Sequence, residues 1–154
     1  MSLKVRKIER EDCTRIIELV KELAHYEKAA EQVTVSQQHF EESGFGDKPV
    51  WWGFVVTDAT LFGENIIGFA IYYIRFSTWK GQRMYLEDIV ITEAARGKGA
   101  GKLLMDALIL EAKEKHFTGM VWQVLNWNEP AINFYKKYYD AALDDEWINC
   151  SLEL

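Results

Sequence analysis

The chain has 154 residues, 49% of them hydrophobic, which predicts a single domain spanning 1–154 with a core of its own. Lys and Arg total 18 against 24 Asp and Glu; the net charge of −6 argues against a nucleic-acid partner and suits a cationic one. Only Cys13 and Cys150 are present, no apolar run approaches a membrane span, and M-S-L-K-V-R-K-I lacks a signal peptide's apolar segment, so a soluble protein of the reducing cytoplasm is expected.

In chain order, Lys4 to Glu9 alternates charge with Val5 and Ile8 and predicts a first strand. The acidic pair Glu11-Asp12 starts a helix with Ile16, Ile17, Val20, Leu23 and Ala24 on its buried face, ending near Lys28. A short helix follows from Ser36 to Glu42, closed by Gly44. Pro49 opens a strand through Val50 to Val56. Asp58 to Asn65, with Gly63, then reads as a hairpin connection into a long strand, Ile66 to Ile74. Ser77 to Arg83 turns back into Met84 to Ile91, a strand that stops at Thr92-Glu93. Beyond Ala100, the spacing of Leu103, Leu104, Ala107, Leu108 and Ala112 predicts a helix with one buried face, ending near Lys115. Gly119 leads into a strand, Met120 to Leu125. Asn128 to Tyr138 forms a helix with Pro130 allowed near its start, and Trp147 to Glu153 returns as a last strand. The order β, α, α, β, β, β, α, β, α, β implies an α/β fold: a mixed, mostly antiparallel sheet with helices on both faces.

The connection between the fourth of these strands and its helix carries the chemistry. Gly97, Gly99 and Gly101 let a backbone approach a ligand closely, and the unpaired N–H groups opening the helix point into the turn. Such a turn holds phosphate. A Walker A loop would need glycine at Arg96 and Ser or Thr at Leu103; a dinucleotide G-x-G-x-x-G from Gly97 would need glycine at Lys102. What remains is R-x-x-G-x-G, Arg96 to Gly101, and on spacing alone a plain glycine-rich connection stays open beside it.

This loop resembles the acetyl-CoA pyrophosphate loop of the GCN5-related N-acetyltransferases. Four further segments are similar to the diamine (spermidine/spermine) and thialysine N-acetyltransferases of that superfamily. They are E-L-A-H-Y-E-K at Glu22 to Lys28, G-F-G-D-K-P at Gly44 to Pro49, S-T-W-K-G with Y-L-E-D at Ser77 to Asp88, and W-N-E-P-A-I-N-F-Y-K at Trp127 to Lys136. The resemblance implies the fold of that superfamily and transfer of acetyl from acetyl-CoA to a primary amine by direct attack in a ternary complex.

Such a transfer needs a neutral nucleophile, yet a primary ammonium with a pKa of ~10 leaves about one molecule in a thousand or fewer deprotonated at neutral pH. The resemblance implies that Glu87 binds the amine and accepts its proton through water, and that Tyr135 is the general acid for the leaving thiolate. Read alone, Glu87 is an ordinary strand carboxylate and Tyr135 an aromatic on an amphipathic helix. By the same resemblance the main chain of Ile89, Val90 and Ile91 meets the acetyl and pantetheine arm. Arg96, Gly97, Lys98, Gly99, Ala100, Gly101 and Lys102 hold the pyrophosphate, and Asn128, Glu129, Pro130 and Ala131 meet the cofactor from the other side. Tyr26 and Glu27, with Val121, Trp122 and Gln123, match the substrate-facing positions.

Polyamine-type members carry an acidic residue where this chain has Ser77. One carboxylate fewer weakens the pull on a distant second cation, so a short amine or lysine-like amino acid is expected over spermine. The family's glycine-alanine after the tyrosine helix is replaced here: Tyr139 stands at the glycine position, so either Asp140 caps the helix or the helix closes differently. His25, His39 and His116 show no metal-ligand spacing, and no metal is expected. The resemblance also implies a homodimer. A protein or peptide N-acetyltransferase and a non-catalytic acetyl-CoA-binding module stay open as alternatives.

Overall fold

The structure, a computed structural model, describes residues 2–60 and 65–154. The chain divides into two compact units, Met1–Trp122 and Gln123–Leu154.

The first unit is built on a five-stranded sheet. Its strands are β1 (Leu3–Lys7), β2 (Trp52–Asp58), β3 (Asn65–Ser77), β4 (Gly81–Ile91) and β5 (Met120–Trp122), adjacent in that order. The first three pairings are antiparallel, and β4–β5 is parallel. A parallel pair needs a long crossover, supplied by α3 (Ala100–Glu114); α1 (Cys13–Tyr26) and α2 (Gln37–Phe45) connect β1 to β2. Covered on both faces, β2 is buried from Gly53 to Asp58 instead of alternating.

Which helix covers which face follows from two adjacent residues of β3. Ile71 belongs to the core cluster with Ile16 and Leu19 of α1, so its face is α1's. The Tyr72 hydroxyl donates to Oε2 of Glu111 in α3 at 2.6 Å, so the opposite face is α3's. At the chain's start, Arg6 makes a two-pronged pair with Asp12 (2.7 and 2.9 Å), and the same carboxylate accepts from the Glu9 amide. This fixes the turn from β1 into α1.

Several expected boundaries move. The α3 face is rotated: Leu104, Met105, Leu108, Glu111 and Ala112 are buried, whereas Leu103 is exposed. Glu111 can turn inward because Tyr72 supplies its hydrogen-bond donor. The turn expected over Ser77 to Arg83 shrinks to Thr78–Lys80, because Phe76 pairs with Gln82 and Arg75 with Arg83, extending both strands. Ser77 Oγ accepts from the Trp79 and Lys80 amides and closes the tip. Helix α2 continues through Gly44, where a Cβ would run into the Trp51 ring. Of the connection expected over Asp58 to Asn65, residues 61–64, with Gly63, lie outside the described residues.

In the second unit, α4 (Glu129–Tyr139) begins as expected, with the Asn128 side chain accepting from the Ala131 amide at 3.3 Å. It ends at Asp140 in the left-handed conformation (φ 48, ψ 41), so Asp140 takes the place of the capping glycine. The expected strand at Trp147 to Glu153 is absent, because this segment enters no ladder among the described residues and Trp147, Ile148 and Leu152 stay exposed. Apolar and β-branched content alone does not satisfy a backbone; a paired edge does.

Candidate active site

The site of the first unit begins where β4 ends. Gly97 and Gly99 have φ of 77 and 91, values that L side chains adopt only under strain, and a Cβ built at either would meet nothing within 4 Å. The loop is therefore open backbone, presented to solvent from Arg96 to Gly99. Ala100, Gly101 and Lys102 follow as the first turn of α3, whose amides have no carbonyl partner within the helix and carry the positive end of its dipole. Side chains brace this loop without filling it. Arg96 Nε donates to the Ile91 carbonyl at 3.0 Å and its guanidinium lies over the Tyr26 ring at 5.3 Å. Lys102 pairs with Asp106 at 2.8 Å. Glu22 of α1 accepts from the Glu93 amide (2.9 Å) and the Thr92 hydroxyl (3.0 Å), tying the first helix to the start of the loop.

The strand before the loop carries a break in register. Ile71 stands opposite Asp88 and Tyr72 opposite Leu86, leaving Glu87 as one extra residue on β4, a β-bulge. Directly opposed residues share a sheet face, so Leu86 lies on α3's face with Tyr72, and Asp88 on α1's face with Ile71. Glu87, next after Leu86, points to α1's face as well. The bulge thus sets two consecutive carboxylates on one side of the sheet, which regular alternation forbids.

Glu27, at the end of α1, is the third acid here. Burial raises its pKa. Burial first, then the charges of Glu87 and Glu27, push Asp88 up to about 6. Beside Glu87, Tyr73 and Tyr85 stack at 4.9 Å, and the Arg75 guanidinium lies over Tyr85 at 5.8 Å. Both phenols are raised by burial and then by the Glu87 charge. Negative charge against aromatic faces is an environment that recognises a cation.

The β4–β5 ladder stops at Leu86 with Trp122, so β4 runs on from Glu87 to Ile91 past its end. Ile89, Val90 and Ile91 occupy that stretch, and Val90 is buried in α1's core cluster. Val121, opposite Tyr85, shares the carboxylate face; Trp122, opposite Leu86, is on the other. A cavity of about 430 Å³ lies on another side of the loop, lined by Arg15, Asp58, Asn65 and Lys98 among others, and Glu27, Glu87 and Asp88 are not part of its lining.

The second unit carries Gln123, Asn128 to Ala131 and Tyr135. Gln123 donates to the Asn149 side chain at 3.0 Å. Asn128 is the N-cap of α4, with Glu129, Pro130 and Ala131 in the first turn. Tyr135 is buried, with Phe134 packed edge-on at 5.6 Å, and burial pushes its phenol up to about 12.

Sequence reading did not single out Glu22 or Asp88. The signal for Asp88 was its adjacency to Glu87 in Y-L-E-D, which becomes informative only once the bulge shows both acids on one face.

Comparison with known proteins adds four findings. Residues 9–139 match the model of the acetyltransferase (GNAT) family. The chain is 33% identical to the thialysine N-epsilon-acetyltransferase of Mus musculus over 99% of this chain and 93% of that protein. It is 31% identical to the spermidine/spermine N(1)-acetyltransferase-like protein 1 of Homo sapiens, over 93% of this chain but 21% of that longer protein. Among solved structures, an aminoglycoside acetyltransferase from an uncultured soil metagenomic sample, in complex with sisomicin, aligns with a TM-score of 0.78 at 18% identity, covering 98% of this chain and 97% of that one. At that identity the likeness speaks for the fold.

Proposed function

The chain belongs to the acetyltransferase (GNAT) family, whose members are acetyl-CoA-dependent acyltransferases, and from that premise we propose that it acetylates a primary amine of a small cation in a ternary complex. The observation that carries the reading is the bulge at Glu87, which sets Glu87 and Asp88 on the sheet face that α1 covers, one short strand segment before an open glycine loop, with Glu27 at the end of α1 close enough for its charge to act on Asp88.

Acetyl-CoA supplies an activated acyl group as a thioester, and the residues present fit it. Backbone at Gly97 and Gly99 admits a diphosphate without Cβ obstruction, and the first turn of α3 offers amides and dipole to it. Arg96, Lys98 and Lys102 add cationic side chains around that position; Lys102 would exchange its pairing with Asp106. The main chain of Ile89 to Ile91, beyond the β5 ladder, is free of β5 to hydrogen-bond an extended arm; Asn128 to Ala131, in the second unit, are the cofactor positions that the resemblance implies there.

Glu87 and Glu27 hold the amine as its ammonium, with Tyr26 and Val121 as further contacts on that face; Trp122, on the sheet's other face, is not one of them, and Gln123 is the substrate position that the resemblance implies on the second unit. Tyr135 returns a proton to the leaving thiolate. A phenol pushed up to about 12 keeps that proton across the working pH range, as a general acid must. For the acceptor we favour thialysine or a lysine-like amino acid over a long polyamine. Ser77, at the position where polyamine-type members carry an acid, has its hydroxyl engaged in the hairpin tip, and the relative matched along 99% of the chain is named for thialysine. A homodimeric, cytoplasmic protein belongs to the same proposal.

The test is release of coenzyme A thiol from acetyl-CoA with thialysine, lysine, putrescine, spermidine and a lysine peptide. Thialysine or lysine should give the highest kcat/KM. Release with no amine in the panel refutes the proposal, and preference for the peptide refutes the substrate class.

A further inference from the structure

A loop that receives a diphosphate must hold its amides in place beforehand, yet the glycines that open it to a ligand also leave its backbone free to turn. The position of Gly97 and Gly99 is therefore set by what precedes them. That is one turn of 3-10 helix, Glu93–Ala95, between the end of β4 and Arg96. The opening amides of such a turn have no carbonyl partner within it. Glu22 of α1, 71 positions away in sequence, supplies one: its carboxylate accepts from the Glu93 amide at 2.9 Å and from the Thr92 hydroxyl at 3.0 and 3.2 Å. From the other side the Ile67 carbonyl of β3 holds the Thr92 amide at 2.8 Å. Tyr26, one helical turn beyond Glu22 on the same side of α1, lies under the Arg96 guanidinium at 5.3 Å. Helix α1 thus braces both ends of the turn that leads into the loop. The residue type is informative as well. A carboxylate this near an anion site repels the ligand, and Gln would accept the same hydrogen bonds without the charge. A glutamate there is explained by what it holds, since charge-assisted hydrogen bonds are the stronger ones.

We propose that Glu22 is a positioning residue for the coenzyme: by capping the turn at Thr92 and Glu93 it holds the loop from Arg96 to Gly101 in the open form that receives the diphosphate; this rests on the acetyl-CoA reading. Without the carboxylate the Glu93 amide turns to water, the 3-10 turn loosens, and the loop spends only part of its time in the receptive form. Apparent affinity for the coenzyme falls by that fraction, whereas the complex, once formed, is the same. The loss therefore appears in binding and not in turnover. Gln at this position keeps an oxygen for both donors and removes the repulsion, so its affinity stays near that of Glu while Ala's falls. Two other roles give different patterns. A Glu22 that acted only through its charge would make both variants bind more tightly, and one that only stabilised the fold would lower Tm with affinity unchanged.

The experiment is calorimetric titration with coenzyme A, together with steady-state kinetics on acetyl-CoA and thialysine, for the whole protein as wild type, Glu22→Ala and Glu22→Gln. Glu22→Ala should raise the coenzyme A Kd and the acetyl-CoA KM about tenfold, with kcat and the thialysine KM within about threefold of wild type. Glu22→Gln should keep the coenzyme A Kd within about threefold of wild type. Wild-type affinity in Glu22→Ala, tighter binding in both variants, equal weakening in both, or a loss confined to kcat overturns the assignment. If Glu22→Ala does not fold, amide hydrogen exchange on the wild-type protein decides: protection of the Glu93 amide without ligand supports the cap, and exchange at the rate of an open amide overturns it. No heat from coenzyme A with wild-type protein defeats the acetyl-CoA reading itself, whereas binding that Glu22→Ala leaves unchanged defeats only this inference.

Discussion

Deleting Glu87 outright should leave a folded protein with a weakened grip on its amine. In the β3–β4 register it is the residue without a partner, since Ile71 faces Asp88 and Tyr72 faces Leu86. With it removed, Leu86 and Asp88 follow each other in plain alternation, each on its present face, and no buried side chain changes sides. The fold loses an exposed carboxylate and a local twist; it gains a continuous ladder, worth about one hydrogen bond or 0.5–1.5 kcal/mol. The unfolding free energy should therefore stay within about 1.5 kcal/mol of wild type, read as a urea midpoint at constant m. Deleting Phe69, fully buried in β3, provides the contrast. It slips that strand by one residue, inverts its packed side chains, and should cost more than about 4 kcal/mol or prevent folding. In the turnover assay, loss of one partly solvated carboxylate near the ammonium is worth about 1 kcal/mol, roughly fivefold in amine KM. A Glu87-deleted chain that unfolds, or loses more than about 3 kcal/mol, would show that the side-chain facing deduced for β4 is wrong.

Tyr135→Phe should lower kcat about 10²–10³-fold at unchanged acetyl-CoA affinity by calorimetry; an unchanged kcat removes the general-acid role. Asp88 predicts a pH-dependent contribution to stability. Its carboxyl lies at about 6 in the folded chain against about 3.9 for an ordinary Asp, so the native state binds that proton more tightly, and the stability this contributes is present below about pH 4 and lost as pH rises through 6. Asp88→Asn should accordingly flatten stability between pH 4 and 6 and gain about 1–2 kcal/mol at pH 7.5, a Tm rise of about 2–8 °C by calorimetric melting; a lower Tm contradicts it. Asp140, non-glycine at φ 48, bears the strain of a left-handed cap, so Asp140→Gly should stabilise by about 1 kcal/mol in the same urea assay, and a loss of stability would refute the strain argument.

What the chain states locally is what its sequence determined. The R-x-x-G-x-G turn, the amphipathic spacing of α1, and the apolar runs of β2, β3 and β4 each rest on interactions within a few residues or on one buried face. They suffice for the α/β architecture and, with the matching segments, for the acetyl-transfer family. Pairing decided the rest, because a residue's environment depends on partners distant in sequence. Y-L-E-D reads as simple alternation until β3 shows Ile71 and Tyr72 opposite Asp88 and Leu86, and only then do two carboxylates fall on one face. Glu111 reads as a surface residue of α3 until Tyr72, 39 positions away, turns a hydroxyl to it. Trp147 to Glu153 carries strand-forming residues, yet a strand exists only where another edge receives its amides and carbonyls, and no local pattern encodes that edge.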